Sequence, residues 1–355
     1  MVFRNAGRLK SCEKWSIQGH KIEVVSEYCY LGVLLSSSGL WNSTQKYLAE
    51  KATQSLFSIK KMLSRYSDVD TNLAFKVFDG KILPILMYGS EIWGLHRGEN
   101  IEIVHTKFCR FVLKVYNNAS NLAVRGELGR FTIRTTRLSR VVKYWLRLLA
   151  LPRQRLTSMC YTFQYREAEK DKSCWAYDIK QLLCSVGLGE AWFNQGVGCV
   201  HRFLNLFKQR CRDIAIQEWQ ASLQLVSKLD TYRKIKIEFG MSCYLSVIDK
   251  HYLKNALCKF RISAHRLRIE TGRWLHNNRA ERICIFCSLN EIEDEFHFML
   301  ICPFYNDLRH QYLPQYCYTN PTFVKFTVIM QSEQPTLLIN LSKYIYFSMK
   351  KRAEV

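Results

Sequence analysis

Residues 22–63 read IEVVSEYCYLGVLLSSSGLWNSTQKYLAEKATQSLFSIKKML, and the period of their apolar positions changes midway. In the first half Ile22, Val24, Tyr28, Tyr30 and Gly32 fall at even spacing, with β-branched and aromatic enrichment. That alternation predicts an extended segment over residues 22–35, and Ser36, Ser37, Ser38 and Gly39 supply the turn after it. Asn42 or Ser43 then offers a helix cap, and Leu48, Ala52, Leu56, Ile59 and Leu63 recur at helical spacing. A short β element followed by helices is the expected order.

Helical periodicity continues outward. After Asp70, read as a cap, Leu73 and Val77 are expected to face inward, and Gly80 with Pro84 should kink or stop the segment. From about Asn100, the residues Ile101, Val104, Phe108, Phe111 and Val115 mark a helix face. A further helix carries Leu138, Val141, Trp145 and Leu148, with Arg137, Arg140, Lys143 and Arg147 decorating it. Over residues 152–198 the pattern weakens, which reads as a linker with some helix. A basic helix with Val200, Phe203, Phe207, Cys211 and Ile214 follows. The expected fold class is mainly α, with a short β-hairpin near the N-terminus and a small zinc-knuckle module near the C-terminus.

The chain has 355 residues, 48% hydrophobic and 23% charged, which are values of a folded protein and exclude wholesale disorder. Lys and Arg number 52 against 30 Asp and Glu, a formal net charge of +22. That excess points to a polyanionic partner, nucleic acid before a membrane surface. The longest apolar run, residues 82–88, is interrupted by Pro84 and is far short of the ~20 residues a bilayer crossing needs. Residues 1–10 carry no apolar signal core, so secretion is not indicated. The expected setting is intracellular, in nucleus or cytoplasm. Most of the 14 cysteines then read as small buried apolar residues in a reducing compartment.

Cys284, Cys287 and Cys302 stand apart. With His297 they form C-x2-C-x9-H-x4-C. A Cys pair so spaced can grip one metal ion from a tight turn, and a later His and Cys can close a tetrahedron. Three thiolates and an imidazole suit zinc, and four protein ligands leave no open position for a catalytic water. The bland alternative is coincidence in a Cys-rich chain. His310 is a distant substitute ligand. The acidic residues Glu291, Glu293, Asp294 and Glu295 between the ligands read as a solvated turn.

Immediately upstream stand eight cations, Lys254, Lys259, Arg261, Arg266, Arg268, Arg273, Arg279 and Arg282, opposed only by Glu270 and Glu281. Phe260, His265 and Trp274 are interleaved with them. Cations can meet phosphates and aromatic faces can stack on bases, so the segment reads as a nucleic-acid platform. A solvated basic face over core aromatics is the alternative, and Trp274 in particular could be either stacking residue or core. Enzyme signatures are missing. The sequence has no Asp-Asp pair for a two-metal centre, no H-E-x-x-H, no G-x-S-x-G and no Walker A.

Several segments look familiar. Tyr28-Cys29-Tyr30-Leu31-Gly32-Val33 resembles the YLG motif of LINE-type (non-LTR) retrotransposon reverse transcriptases, in which it forms the primer-grip hairpin after the catalytic palm. Met1-Val2-Phe3-Arg4 resembles the palm strand before it. Leu83-Pro84-Ile85-Leu86-Met87-Tyr88-Gly89-Ser90-Glu91-Ile92-Trp93-Gly94 is similar to that family's LPxLxYGxExW stretch in the thumb, and Val124-Arg125-Gly126-Glu127-Leu128-Gly129-Arg130 also fits. Leu267-Arg268-Ile269-Glu270-Thr271-Gly272-Arg273-Trp274 leads into the Cys/His knuckle as in LINE proteins, and Glu293-Asp294-Glu295-Phe296-His297 completes it. The likeness spans nearly the whole chain and is least specific over residues 153–250.

This resemblance implies a division into a palm remnant with a primer-grip-like hairpin at Tyr30, Leu31 and Gly32 (residues 1–40), a thumb-like helical domain (41–152), a linker or helical region (153–250) and a basic helix with the zinc module (251–355). The family's catalytic Asp-Asp box lies upstream of the position matching Met1, so no catalytic residue carries over. The expectation is a C-terminal polymerase fragment that binds RNA or DNA, makes no DNA alone, and could work with a polymerase half supplied in trans. The rival reading is a repurposed zinc-binding scaffold for a protein partner.

Overall fold

A computed structural model describes residues 14–66 and 69–355. Within them the chain is mainly helical, with its β structure near the N-terminus, as expected. Two antiparallel hairpins come first, Trp15–Ile17 with His20–Ile22 and Glu27–Tyr30 with Val33–Ser36. The palm-like strand read at residues 1–4 lies outside the described residues, as do Ser67 and Asp68. By its contacts the chain divides into two units that interleave in sequence. Among the described residues, one comprises 14–59, 76–105 and 131–215, the other 60–66, 69–75, 106–130 and 216–355.

In the first unit the second hairpin turns through Leu31 at φ 48° and Gly32 at φ 81°. Two successive left-handed residues match the twist of the flanking strands. The Tyr88 hydroxyl donates to the Leu31 carbonyl at 2.7 Å. A Cβ on Gly32 would stand 3.2 Å from the Tyr88 ring, and one on Gly89 only 3.0 Å from Val33 Cγ2. The segments quoted as YLG and LPxLxYG therefore interlock. The Thr44 hydroxyl donates to the Leu34 carbonyl, tying the helix Asn42–Leu63 to the same hairpin.

The helix Ile133–Leu149 turns Leu138, Val141, Trp145 and Leu148 into the core. Arg137 does not decorate its outer side. It is buried, its Nη1 donates to the His96 carbonyl at 2.9 Å, and its guanidinium lies 5.6 Å from the Trp93 ring centroid. The weakly patterned region is well folded. Helices Leu156–Ala168, Trp175–Ser185 and Gly189–Phe193 complete the core around Trp145, which stacks on Trp192 at 6.3 Å. Trp145 Nε1 donates to the Tyr161 hydroxyl at 2.8 Å, and that hydroxyl donates to Gln195 at 2.6 Å. Each buried tryptophan removes about 150–250 Å² from water, on the order of 4–6 kcal/mol.

Asp70 caps the helix Thr71–Lys81, its Oδ1 accepting from the Leu73 amide at 2.8 Å. The helix stops at Lys81, and Leu83–Leu86 restarts with Pro84 in its first turn, where a missing amide hydrogen costs nothing. Leu73 is 53% exposed instead of inward. Ala74, Phe75 and Phe78 form the buried stripe, which sets the helix by its larger aromatic area.

The second unit is organised by a buried ion pair. Glu127, on the helix Asn121–Leu128, accepts Nε of Arg261 at 3.1 Å, and Arg261 also donates to the Met330 carbonyl. A Cβ on Gly126 would meet the Tyr232 hydroxyl at 2.5 Å and Trp219 at 2.6 Å. Gly129 ends that helix in the left-handed conformation, hard against the Met241 amide. These contacts account for the Val-Arg-Gly-Glu-Leu-Gly segment as packing. The helix His251–Arg261 packs along the last helix, Pro335–Ala353. No described helix is long and apolar enough to cross a membrane.

Candidate metal centre

The four predicted ligands converge. Cys284 Sγ, Cys287 Sγ, His297 and Cys302 Sγ all lie within 4.8 Å of one another and could hold one metal ion. Cys284 and Cys302 are 3.8 Å apart through their sulfurs, and Cys287 Sγ is 3.5 Å from His297 Nε2. A tetrahedron with metal–sulfur bonds of ~2.3 Å and metal–nitrogen bonds of ~2.05 Å sets these edges at about 3.8 and 3.6 Å. These two edges match a single tetrahedral ion.

Local backbone explains the convergence. Ile283 pairs with Ile292 in an antiparallel bridge, and the Cys284 amide donates to the Glu291 carbonyl at 2.8 Å. The C-x2-C pair thus sits at the tip of a short hairpin. His297 begins a π-helical turn, His297–Ile301, and the Cys302 amide closes it onto the His297 carbonyl at 2.8 Å. On an α-helix, residues five apart diverge by ~140°; the wider turn brings His297 and Cys302 to one side. Pro303 prevents continuation. Buried Arg309 holds the turn by donating to the carbonyls of Met299 and Cys302, both at 2.9 Å.

Electrostatics favour a thiolate. The Cys302 thiol donates to Cys284 and brings it down to about 4, with His297 assisting against burial. The same bond pushes Cys302 upward. Burial opposes charge on His297, but its bonds to Cys284 and Glu291 outweigh it and raise the imidazole. Glu291 Oε2 lies 3.0 Å from His297 Nδ1, which leaves Nε2 for the metal. Sequence reasoning missed this orienting carboxylate because it took the acidic stretch for a solvated turn.

That reading of the stretch is corrected. Glu293 is fully buried and accepts from Arg352 Nε at 2.9 Å, from Arg352 Nη2 at 2.8 Å and from the Arg268 amide at 2.7 Å. Glu295 is buried against His265, at 3.0 Å, and accepts from Ser263 and Thr231. Asp294 Oδ1 accepts the His297 amide at 2.8 Å. Glu293 and Glu295 are therefore clamps that join the Cys/His hairpin to residues 231–268 and to the last helix, while Asp294 caps the turn that His297 begins. His310 stays outside the cluster, its ring against Tyr318 at 5.1 Å.

The predicted nucleic-acid residues separate into two groups. Arg261 is spent on Glu127, and no donor of a buried guanidinium so paired remains for phosphate, so its assignment is corrected. Arg282 is corrected likewise: it is buried, with Nε and Nη2 on the Asn277 carbonyl and Nη1 on that of Ile269 at 2.9 Å. Arg273 bonds Glu270 at 3.1 Å and Ser227. In contrast Arg266 is exposed, Arg268, Lys254 and Lys259 are partly exposed, and Trp274 is 55% exposed, not core. Tyr30 and Leu31 are exposed at the hairpin tip, with Gly32 behind them. Searches of protein families, curated proteins and solved structures find no match to this chain.

Proposed function

We propose that this is a nucleic-acid-binding protein whose C-terminal module is held by a structural zinc ion on Cys284, Cys287, His297 and Cys302. It corresponds in this reading to the thumb, linker and knuckle of a LINE-type reverse transcriptase, within an intracellular ribonucleoprotein. The observation that carries the reading is the net charge of +22 on a folded chain. The donor set supports zinc, because three sulfurs and one imidazole nitrogen in a closed tetrahedron leave little preference for harder ions. The hydrogen bonds that Glu293 accepts from the Arg268 amide and Glu295 from Ser263 support a role for the metal in presenting residues 263–274, with Arg266, Arg268 and Trp274 at least partly exposed.

No residue is assigned to catalysis, since the sequence lacks an Asp-Asp pair. The test is filter binding of single-stranded RNA and DNA to the zinc-loaded chain between about 50 and 200 mM salt. Affinity should fall with a log–log slope of about −0.7 per contacted phosphate. Absence of binding to both strands would overturn the reading. Salt-resistant capture of a protein in its place would support the scaffold alternative.

A further inference from the structure

A cavity of about 680 Å³ lies in the second unit, beside the helix His251–Arg261 and the last helix Pro335–Ala353. Lys114, Lys259, Arg266, Lys350 and Arg352 line it, and no Asp or Glu does. Elsewhere in this unit cations are answered by carboxylates: Arg261 by Glu127, and Arg273 by Glu270. Of the lining cations, Arg352 is held by Glu293 and Lys259 sits 4.8 Å over the Tyr116 ring. Arg266 and Lys350 are exposed and have no ion-pair partner among the described residues.

The remaining wall is aromatic. Tyr116, Tyr252 and Tyr346 all line the cavity, with the last two 4.8 Å apart by ring centroids. Cations alone would suit any anion, and rings alone any flat apolar body. Together, in a volume typical of small-molecule sites, they suit a ligand that is flat at one end and a phosphate at the other. We infer that this cavity takes a nucleotide, its phosphate against Arg266 and Lys350 and its base against the tyrosine rings. The inference rests on the nucleic-acid reading above and locates one point of contact. A free nucleoside monophosphate and an unstacked nucleotide of a single strand share this chemistry.

Calorimetric titration of the full zinc-loaded chain with AMP, adenosine and inorganic phosphate tests it, with an oligoadenylate RNA as a second arm. AMP should bind about tenfold tighter than adenosine or phosphate, because each lacks one half of the recognition. Lys350→Ala and Arg266→Ala should each weaken AMP by about tenfold at unchanged zinc content and melting temperature. Tyr252→Ala should weaken it similarly, and Tyr252→Phe should not. AMP that binds no tighter than phosphate, or that is indifferent to both cation substitutions, overturns the pocket. Oligoadenylate binding that persists in that case leaves the nucleic-acid reading standing. AMP binding without oligoadenylate binding supports the pocket as a free-nucleotide site and, if single-stranded DNA also fails to bind, overturns the nucleic-acid reading.

Discussion

Arg352 and Glu293, 59 residues apart, form a two-pronged ion pair, Nε to Oε1 at 2.9 Å and Nη2 to Oε2 at 2.8 Å. It fastens the last helix to the hairpin that carries the candidate metal ligands. The Tyr344 hydroxyl adds a bond to the Phe298 carbonyl at 2.8 Å, inside the π-helical turn. Arg352→Ala would leave a buried carboxylate with only the Arg268 amide, and removing one partner of a buried pair costs about 3–5 kcal/mol. Urea unfolding should show that loss, and Arg352→Lys should recover only part of it because the fork is gone.

The Glu127–Arg261 pair makes a sharper test of which cations serve structure. Glu127→Leu strands a buried guanidinium and should destabilise by about 3–5 kcal/mol. The double substitution Glu127→Leu with Arg261→Met removes both charges and should regain most of that. In the double variant the salt dependence of oligonucleotide binding should match the parent. A flatter slope there would return Arg261 to the phosphate contacts.

Asp178 gives a pH prediction in the first unit. Burial raises its carboxyl, and nearby His96 pulls it only partly back. A folded value above the unfolded one favours folding when the group is protonated. That contribution is present below the unfolded value and is lost as pH rises through the folded one. Near neutral pH the charged carboxylate therefore costs stability, and Asp178→Asn should melt higher than the parent. The gap should close below about pH 4, where both forms are neutral. An equal gap at both pH values would show that packing, not charge, separates them.

Trp274 is exposed on the helix Arg268–Trp274, so its removal separates binding from folding. Trp274→Ala should leave stability within about 0.5 kcal/mol, as for a surface site. Single-strand binding should weaken by about 1–3 kcal/mol with the salt slope kept, the signature of a lost stack. Unchanged binding would make the exposed ring a bystander.

What the sequence made legible was local. The period change after Gly39 placed the hairpin and the helix Asn42–Leu63, and the Cys/His spacing identified the ligand cluster. What it hid depends on partners far along the chain. Glu293 and Glu295 look solvated until Arg352 and His265 are brought to them, and Arg261 looks available until Glu127 is. The helix Leu156–Ala168 was hard to see because it buries only Ser158, Tyr161 and Ala168, two of them small, and Gly189–Phe193 because it is little more than one turn. The π-helical turn left only an unusual trace, a spacing of His297 and Cys302 that an α-helix would not serve.

The metal centre holds the C-terminal module in this account, and zinc-edge X-ray absorption of the purified full chain tests it most directly. The geometry predicts one zinc per chain with three sulfurs at about 2.3 Å and one nitrogen at about 2.0–2.1 Å, and loss of a sulfur in Cys287→Ser. A shell of oxygen and nitrogen alone, or zinc well below one equivalent in protein folded without it, would contradict the assignment.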